Sequence, residues 1–282
     1  MIKIDEIVQR IEEFPTLPTI YSTLLDVMAN PRSTAKDVAD IIAQDQSSAV
    51  KVLKVANSSL YGFYGRINTI TQAIVYIGFD EVKNLVIALS IMDMFKISKS
   101  NNFMNPVIFW KNSIAVGVIT RLIGKTIGVK NLENYFLAGI LHDIGKLLFL
   151  KFIPEEYGEV FAKAIKRSKM LREIEQEELG ITSAVAGELL AEKWRLPLNI
   201  RNSIRYKSVG IVDNKIDTTT ACVHLANITA DFLGLGLSDE LVIQRPNAQI
   251  WTHLNLPDNF FIDFRERIIQ DYEESTDLLL RY

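Results

Sequence analysis

Ala138-Gly139-Ile140-Leu141-His142-Asp143-Ile144-Gly145-Lys146 is the stretch on which the fold turns. It lies within two apolar runs, Phe136 to Leu141 and Leu147 to Phe152, so a histidine, an aspartate and a lysine are predicted inside a helix that is otherwise buried. Groups of this kind are costly to desolvate and need a metal, a counter-charge or a hydrogen-bond partner. The 282 residues include only three histidines, His142, His224 and His253, and one cysteine, Cys222. That is too few for a histidine-rich metal centre, and the pair reads as the remnant of a metal-dependent site.

Outward from this stretch, apolar residues recur at spacings of three and four, and alternating strand-like runs are nearly absent, which predicts an all-α protein. Ile4, Ile7, Val8 and Ile11 mark a first helix, with Pro18 placed to open the second. Ser33 or Thr34, then Asp45, Thr69 and Asp80, are the expected caps of the following helices, and Gly78 is an expected stop. Later helices are expected over 106–127, through the His-Asp pair, over 154–168, 182–195 and up to about Tyr206, over 218–233, and in an acidic tail from Asp258. Residues 208–215 form the expected linker.

A composition of 48% hydrophobic and 23% charged residues is that of a packed protein. With 31 basic and 34 acidic residues the overall field offers nothing to a polyanion, so nucleic acid is not the expected partner. The two longest apolar stretches are interrupted by Lys111, Arg121 and Lys125, and by His142, Asp143 and Lys146, so no membrane span is expected. Acidic residues near the start and a single cysteine fit a cytoplasmic location.

Ordered blocks in both halves support a family resemblance. The first half has Leu17-Pro18, Ile41-Ile42-Ala43-Gln44-Asp45, Val52-Leu53-Lys54-Val55-Ala56-Asn57-Ser58 with Tyr61-Gly62, and Ile70-Thr71-Gln72-Ala73-Ile74. The second has Phe109-Trp110-Lys111-Asn112-Ser113, the His142-Asp143 stretch, Glu178-Leu179-Gly180 and Trp194-Arg195-Leu196-Pro197. Together these resemble the HDOD family, a non-standard branch of the HD-domain superfamily of metal-dependent phosphohydrolases. Gln46 departs from the proline usual after the aspartate. The resemblance implies a bacterial signalling protein with an HDOD domain over 14–207. Within it, a helical layer (14–100) precedes an HD-like core (101–207), and helices from 208–282 pack on that core and complete it.

The resemblance also implies a ligand set. An active HD enzyme holds a divalent metal with two histidines and two aspartates, and the metal lowers the pKa of the attacking water. Carried over, these positions fall on Asn112, His142, Asp143 and Asn227, so two of four ligands are amides. The outer histidines of related cyclic-dinucleotide phosphodiesterases fall near Ser183 and on Tyr206-Lys207. No cofactor is expected, and a divalent metal would be weakly held at most. His224, one turn before Asn227, is the candidate substitute ligand.

Two further readings concern surfaces. Asn112, His142, Asp143, Lys146, His224 and Asn227 define the expected pocket, with His142 and Asp143 satisfied by Asn112 and Asn227 and with Lys146 paired to Asp143 or Glu133. The loop Tyr61-Gly62-Phe63-Tyr64-Gly65-Arg66 is expected to offer a protein partner aromatic anchors in Tyr61, Phe63 and Tyr64, with Arg66 beside them, although rings folded over the core are the plainer reading. The function expected is non-catalytic regulation through a protein partner or a nucleotide bound without cleavage. A metal-dependent phosphohydrolase acting on a nucleotide or cyclic dinucleotide is the alternative.

Overall fold

The helix Ala35–Ala43 opens on a closed capping box. The Thr34 hydroxyl accepts from the Asp37 amide at 3.3 Å, and the Asp37 carboxylate accepts from the Thr34 amide at 2.7 Å. Asp45 and Thr69 cap the starts they were expected to cap. Asp80 does not, because its helix already begins at Phe79 and its carboxylate pairs with Lys83. Pro18 likewise stands just outside its helix.

The computed structural model describes residues 4–30, 32–61, 66–95, 105–236 and 244–280. Among them the chain is all-helical. An N-terminal layer comprises α1 (Ile4–Glu13), α2 (Thr19–Ala29), α3 (Ala35–Ala43), α4 (Gln46–Ala56), α5 (Ile70–Ile77) and α6 (Phe79–Met94). The core follows with α7 (Pro106–Thr126), α8 (Leu132–Leu141), α9 (Ile144–Phe152), α10 (Pro154–Arg167), α11 (Leu171–Leu179), α12 (Ser183–Lys193) and α13 (Leu198–Tyr206). Then come α14 (Thr218–Leu233), α15 (Ala248–Leu254), α16 (Phe260–Asp263) and α17 (Arg265–Leu280).

The hub is the α7–α8 hairpin, against which α6, α14 and α17 all pack. Its two helices touch at Gly117 and Gly139, where a Cβ on Gly139 would lie 2.5 Å from the Gly117 Cα. α7 is long and apolar enough to cross a membrane by length and composition, and most of it is buried inside the protein. On the other side α9 packs on α12. A Cβ at Gly145 would sit 1.8 Å from the Ser183 carbonyl oxygen, so glycine is what lets these backbones meet.

α1 and the segment after it are fastened to the core by side chains that cap carbonyls. Lys193 donates to the Ile11, Glu12 and Phe14 carbonyls, Arg10 to the Phe152 carbonyl, and the Trp194 indole to Pro15 at 3.0 Å. Phe14 stacks on Phe95 at 5.2 Å and meets Trp194 at 6.1 Å, joining the N-terminal layer to the core through rings.

One buried ion pair ties three parts of the chain together. Arg121 Nε donates to Glu133 Oε1 at 2.7 Å, and its Nη1 donates to the Leu60 carbonyl at 2.7 Å. Glu133 is 1% exposed and Arg121 8%. Removing one member strands the other without a counter-charge, which typically costs about 3–5 kcal/mol. Glu133→Ala is therefore expected to lower the unfolding free energy by that order in denaturant titration, whereas Arg121→Met with Glu133→Leu recovers most of it. A single variant as stable as the parent would show that the pair carries no such role.

Candidate functional site

His142 and Asp143 do not sit inside one helix. The chain breaks there, with His142 ending α8 and Asp143 preceding α9. The break frees both side chains from helical register. Asp143 makes no capping bond with its carboxylate, which turns instead to cations. Lys146, one turn into α9, lies 3.0 Å from Oδ2, and Lys207, at the end of α13, pairs with Oδ1. Asp143, Lys146 and His142 are 8%, 5% and 0% exposed, so this charge cluster is built in the interior.

The His142 ring is oriented by its own backbone. Nδ1–H donates to the Gly139 carbonyl at 2.7 Å, which leaves Nε2 as a bare acceptor 3.3 Å from Asp143 Oδ2. Burial first, then the positive charge of Lys207, holds its pKa well below the ordinary imidazole value, so the ring is neutral. His224 is also buried and its pKa is lowered by burial. Its Nδ1–H donates 2.8 Å to the Lys207 carbonyl, so His224 fixes the main chain that carries Lys207.

Asn112 lies five residues before the Gly117–Gly139 contact in an antiparallel hairpin, which places it at the level of the α8–α9 break. It is buried, and its amide nitrogen has no hydrogen-bond partner. Asn227 is half-buried on α14 and makes no hydrogen bond to His142, Asp143 or Asn112. The expectation that the two amides satisfy the His-Asp pair is thereby corrected. Lysine ammonium groups and a main-chain carbonyl do so, because an ionised carboxylate in the interior needs charge and an amide supplies none. Lys146 does choose Asp143, since Glu133 is committed to Arg121.

Three participants escaped the sequence reading. In the sequence Lys207 stands out only as a position where related phosphodiesterases carry an outer histidine. Asp231, one turn beyond Asn227 on α14, is close enough to raise the pKa of His142, and the spacing of four from Asn227 was the available signal. Glu175 belongs to α11, which was not predicted because its sequence reads as a charged surface. It is 1% exposed, accepts from the Tyr157 hydroxyl at 2.7 Å and the Ser183 amide at 2.8 Å, and feels the charge of Lys146. Burial raises its pKa.

The surface loop also needs correction. Tyr61 is a half-buried ring packed against the core rather than an exposed anchor, with the Arg121 guanidinium 4.9 Å from its centroid and its hydroxyl fully buried. Phe63 and Tyr64 lie outside the described residues. Arg66 is exposed and lines a groove of about 810 Å³ between α4 and α17, with Leu53, Lys54 and Asp277 among its walls. Just before the loop, Ser59 is held by α17 through Asp271 at 2.8 Å and Glu274 at 3.0 Å. Cys222 is buried and its thiol pKa is pushed far up, so it is no nucleophile.

With the geometry of the two halves in place, comparison with known proteins is decisive at family level. The HDOD domain pattern matches residues 14–209. The chain belongs to the HDOD family. Over 98% of both chains it superposes on an HDOD domain protein of Geobacter sulfurreducens, with a TM-score of 0.78 and 24% identity. A Shewanella amazonensis protein whose name proposes a phosphohydrolase matches over 97% of both chains, with a TM-score of 0.75 and 26% identity. A relative in Treponema pallidum is 23% identical over 229 residues, which is 80% of this chain and 44% of that protein. This HDOD chain thus spans less than half the length of the curated relatives it matches.

The superfamily implies a divalent metal, and the residues present do not fit one. Among the described residues no three His, Cys, Asp or Glu side chains gather as a ligand group. The one first-rank carboxylate is already matched by two ammonium groups. At 4 Å and an effective dielectric of 20, each such cation would oppose a divalent ion by roughly 8 kcal/mol.

The neutral His142 has a consequence for stability. In the unfolded chain the ring takes up a proton as pH falls through 6.5, whereas the folded ring does not. The unfolded state then binds more protons, so this contribution is complete above that value and is lost as pH falls toward the depressed folded pKa, by up to about 1.4 kcal/mol per pH unit. In His142→Gln the fall in thermal midpoint between pH 7 and 5.5 is expected to be shallower than in the parent. Identical pH profiles would show that His142 is not held neutral.

Proposed function

We propose that this HDOD chain is a non-catalytic regulatory module that acts by binding a protein partner, with its HD-like core serving as scaffold. The observation carrying this reading is the engagement of Asp143 by Lys146 and Lys207. An HD phosphohydrolase needs that carboxylate on a metal, where it helps to generate the attacking hydroxide. Here the carboxylate is spent on internal cations, the imidazole beside it is neutral, and the two remaining positions are Asn112 and Asn227. The same region carries Asp143 and Asp231 against two lysines, a charge balance that gives a phosphate little reason to enter. A protein partner is thus favoured over a nucleotide.

Names among the structural relatives point both ways, to signal transduction for a Marinobacter aquaeolei protein and to phosphohydrolase chemistry for the Shewanella protein. Only the latter exceeds a quarter identity, and the donor set here argues against carrying its proposed chemistry over. On this reading the purified chain, supplied with manganese, magnesium or iron, leaves bis(p-nitrophenyl) phosphate, nucleoside triphosphates and cyclic dinucleotides intact. Turnover that disappears in both His142→Ala and Asp143→Ala would establish the phosphohydrolase instead.

A further inference from the structure

We propose that Lys207 is a built-in replacement for a divalent cation, and that the His142-Asp143 junction is a latent cation site which the Lys207 ammonium keeps closed. The argument begins with direction. The Gly139 carbonyl fixes one ring nitrogen of His142, so the other aims its lone pair at Asp143 from 3.3 Å. Two bare acceptors that converge in a dry interior require something positive between or beside them. In metal sites the ion does this, and it also joins elements distant in sequence.

The two lysines divide these tasks unequally. Lys146 is local, three residues from Asp143, and holds Oδ2 within one turn of α9. Lys207 comes from the far end of α13 and reaches Oδ1, the oxygen left without any other partner. Its own main chain is anchored by His224 on α14. One ammonium therefore links the α8–α9 junction, α13 and α14 as a bridging ion would. A metal and this ammonium exclude each other, because both need the same carboxylate and repel at contact distance.

The proposal rests on the non-catalytic reading, yet the two can fail separately. The probe is Mn²⁺ alone, followed by the electron paramagnetic resonance signal of the free ion and by the thermal midpoint of the full chain. The parent and Lys207→Arg, which keeps the charge, should leave the free-ion signal unchanged. Lys207→Gln should melt lower without metal, take up Mn²⁺ about tenfold or more tightly than the parent, and regain part of its midpoint, and adding Lys146→Gln, which removes the second opposing ammonium, should tighten that uptake further. His142→Gln with Lys207→Gln should lose that uptake. Should Lys207→Gln fold only when refolded with Mn²⁺, the proposal is equally supported. A parent that binds Mn²⁺ as well as Lys207→Gln, or a Lys207→Gln chain that gains nothing from Mn²⁺ whether folded or refolding, overturns it. Failure in Lys207→Gln alone leaves the non-catalytic reading intact, whereas metal-dependent turnover by the parent removes that reading.

Discussion

A carboxylate buried where two helices meet must find positive charge within a few ångströms, and Asp143 imposes this requirement on much of the core. Meeting it brings Lys146 inward on α9 and draws the end of α13 over the junction through Lys207. The second lysine in turn needs its backbone held, which falls to His224. The break between α8 and α9 is part of the same arrangement, since a continuous helix would direct His142 and Asp143 to different faces. Just beyond the break, Gly145 lets α9 lie directly against α12.

The same rule operates twice more. Glu133 is matched by Arg121, which uses a remaining donor on Leu60 and so reaches from the core into the N-terminal layer. Glu175 has hydroxyl and amide donors instead of a direct ion pair, and correspondingly its pKa is raised. The neutral donors around Glu175 compensate its burial only in part. The polar interior thus consists of acids in graded environments rather than a single ligand cluster. α17 extends this pattern to the surface by holding Ser59 with Asp271 and Glu274.

How much of this was legible in the sequence depends on the range of the interaction. Thr34, Asp45 and Thr69 act within a few residues, and the sequence places the last two correctly and narrows the first to Ser33 or Thr34; Asp80 fails because Gly78 had already turned the chain. The all-helical class follows from periodicity. α11 was missed because its charged residues hide one inward face, Leu171, Ile174 and Glu175, whose burial is decided by Tyr157 and Ser183. For Tyr61 the plainer reading of a ring folded over the core holds, and the ring lies beside Arg121 some sixty residues away. Ordered blocks revealed the family, but not Lys207, since no local pattern says which cation will answer a buried aspartate.

Burying an ion pair seldom stabilises a fold as much as an apolar pair of equal volume would. The Asp143-Lys207 pair is therefore poorly explained by stability alone in a core already rich in Leu, Ile and Val. What it adds is uniqueness, because an ammonium and a carboxylate reject slipped packings that apolar side chains tolerate. The hypothesis for this chain is that the pair fixes one arrangement of α8, α9 and α13. Asp143→Leu with Lys146→Met and Lys207→Met, which leaves neither ammonium stranded at the junction, separates the two roles. It should unfold at no lower denaturant concentration than the parent while showing exchange-broadened amide resonances along α13. Resonances as sharp as the parent's would mean that the surrounding apolar contacts already define the packing, and that the charges persist for another reason.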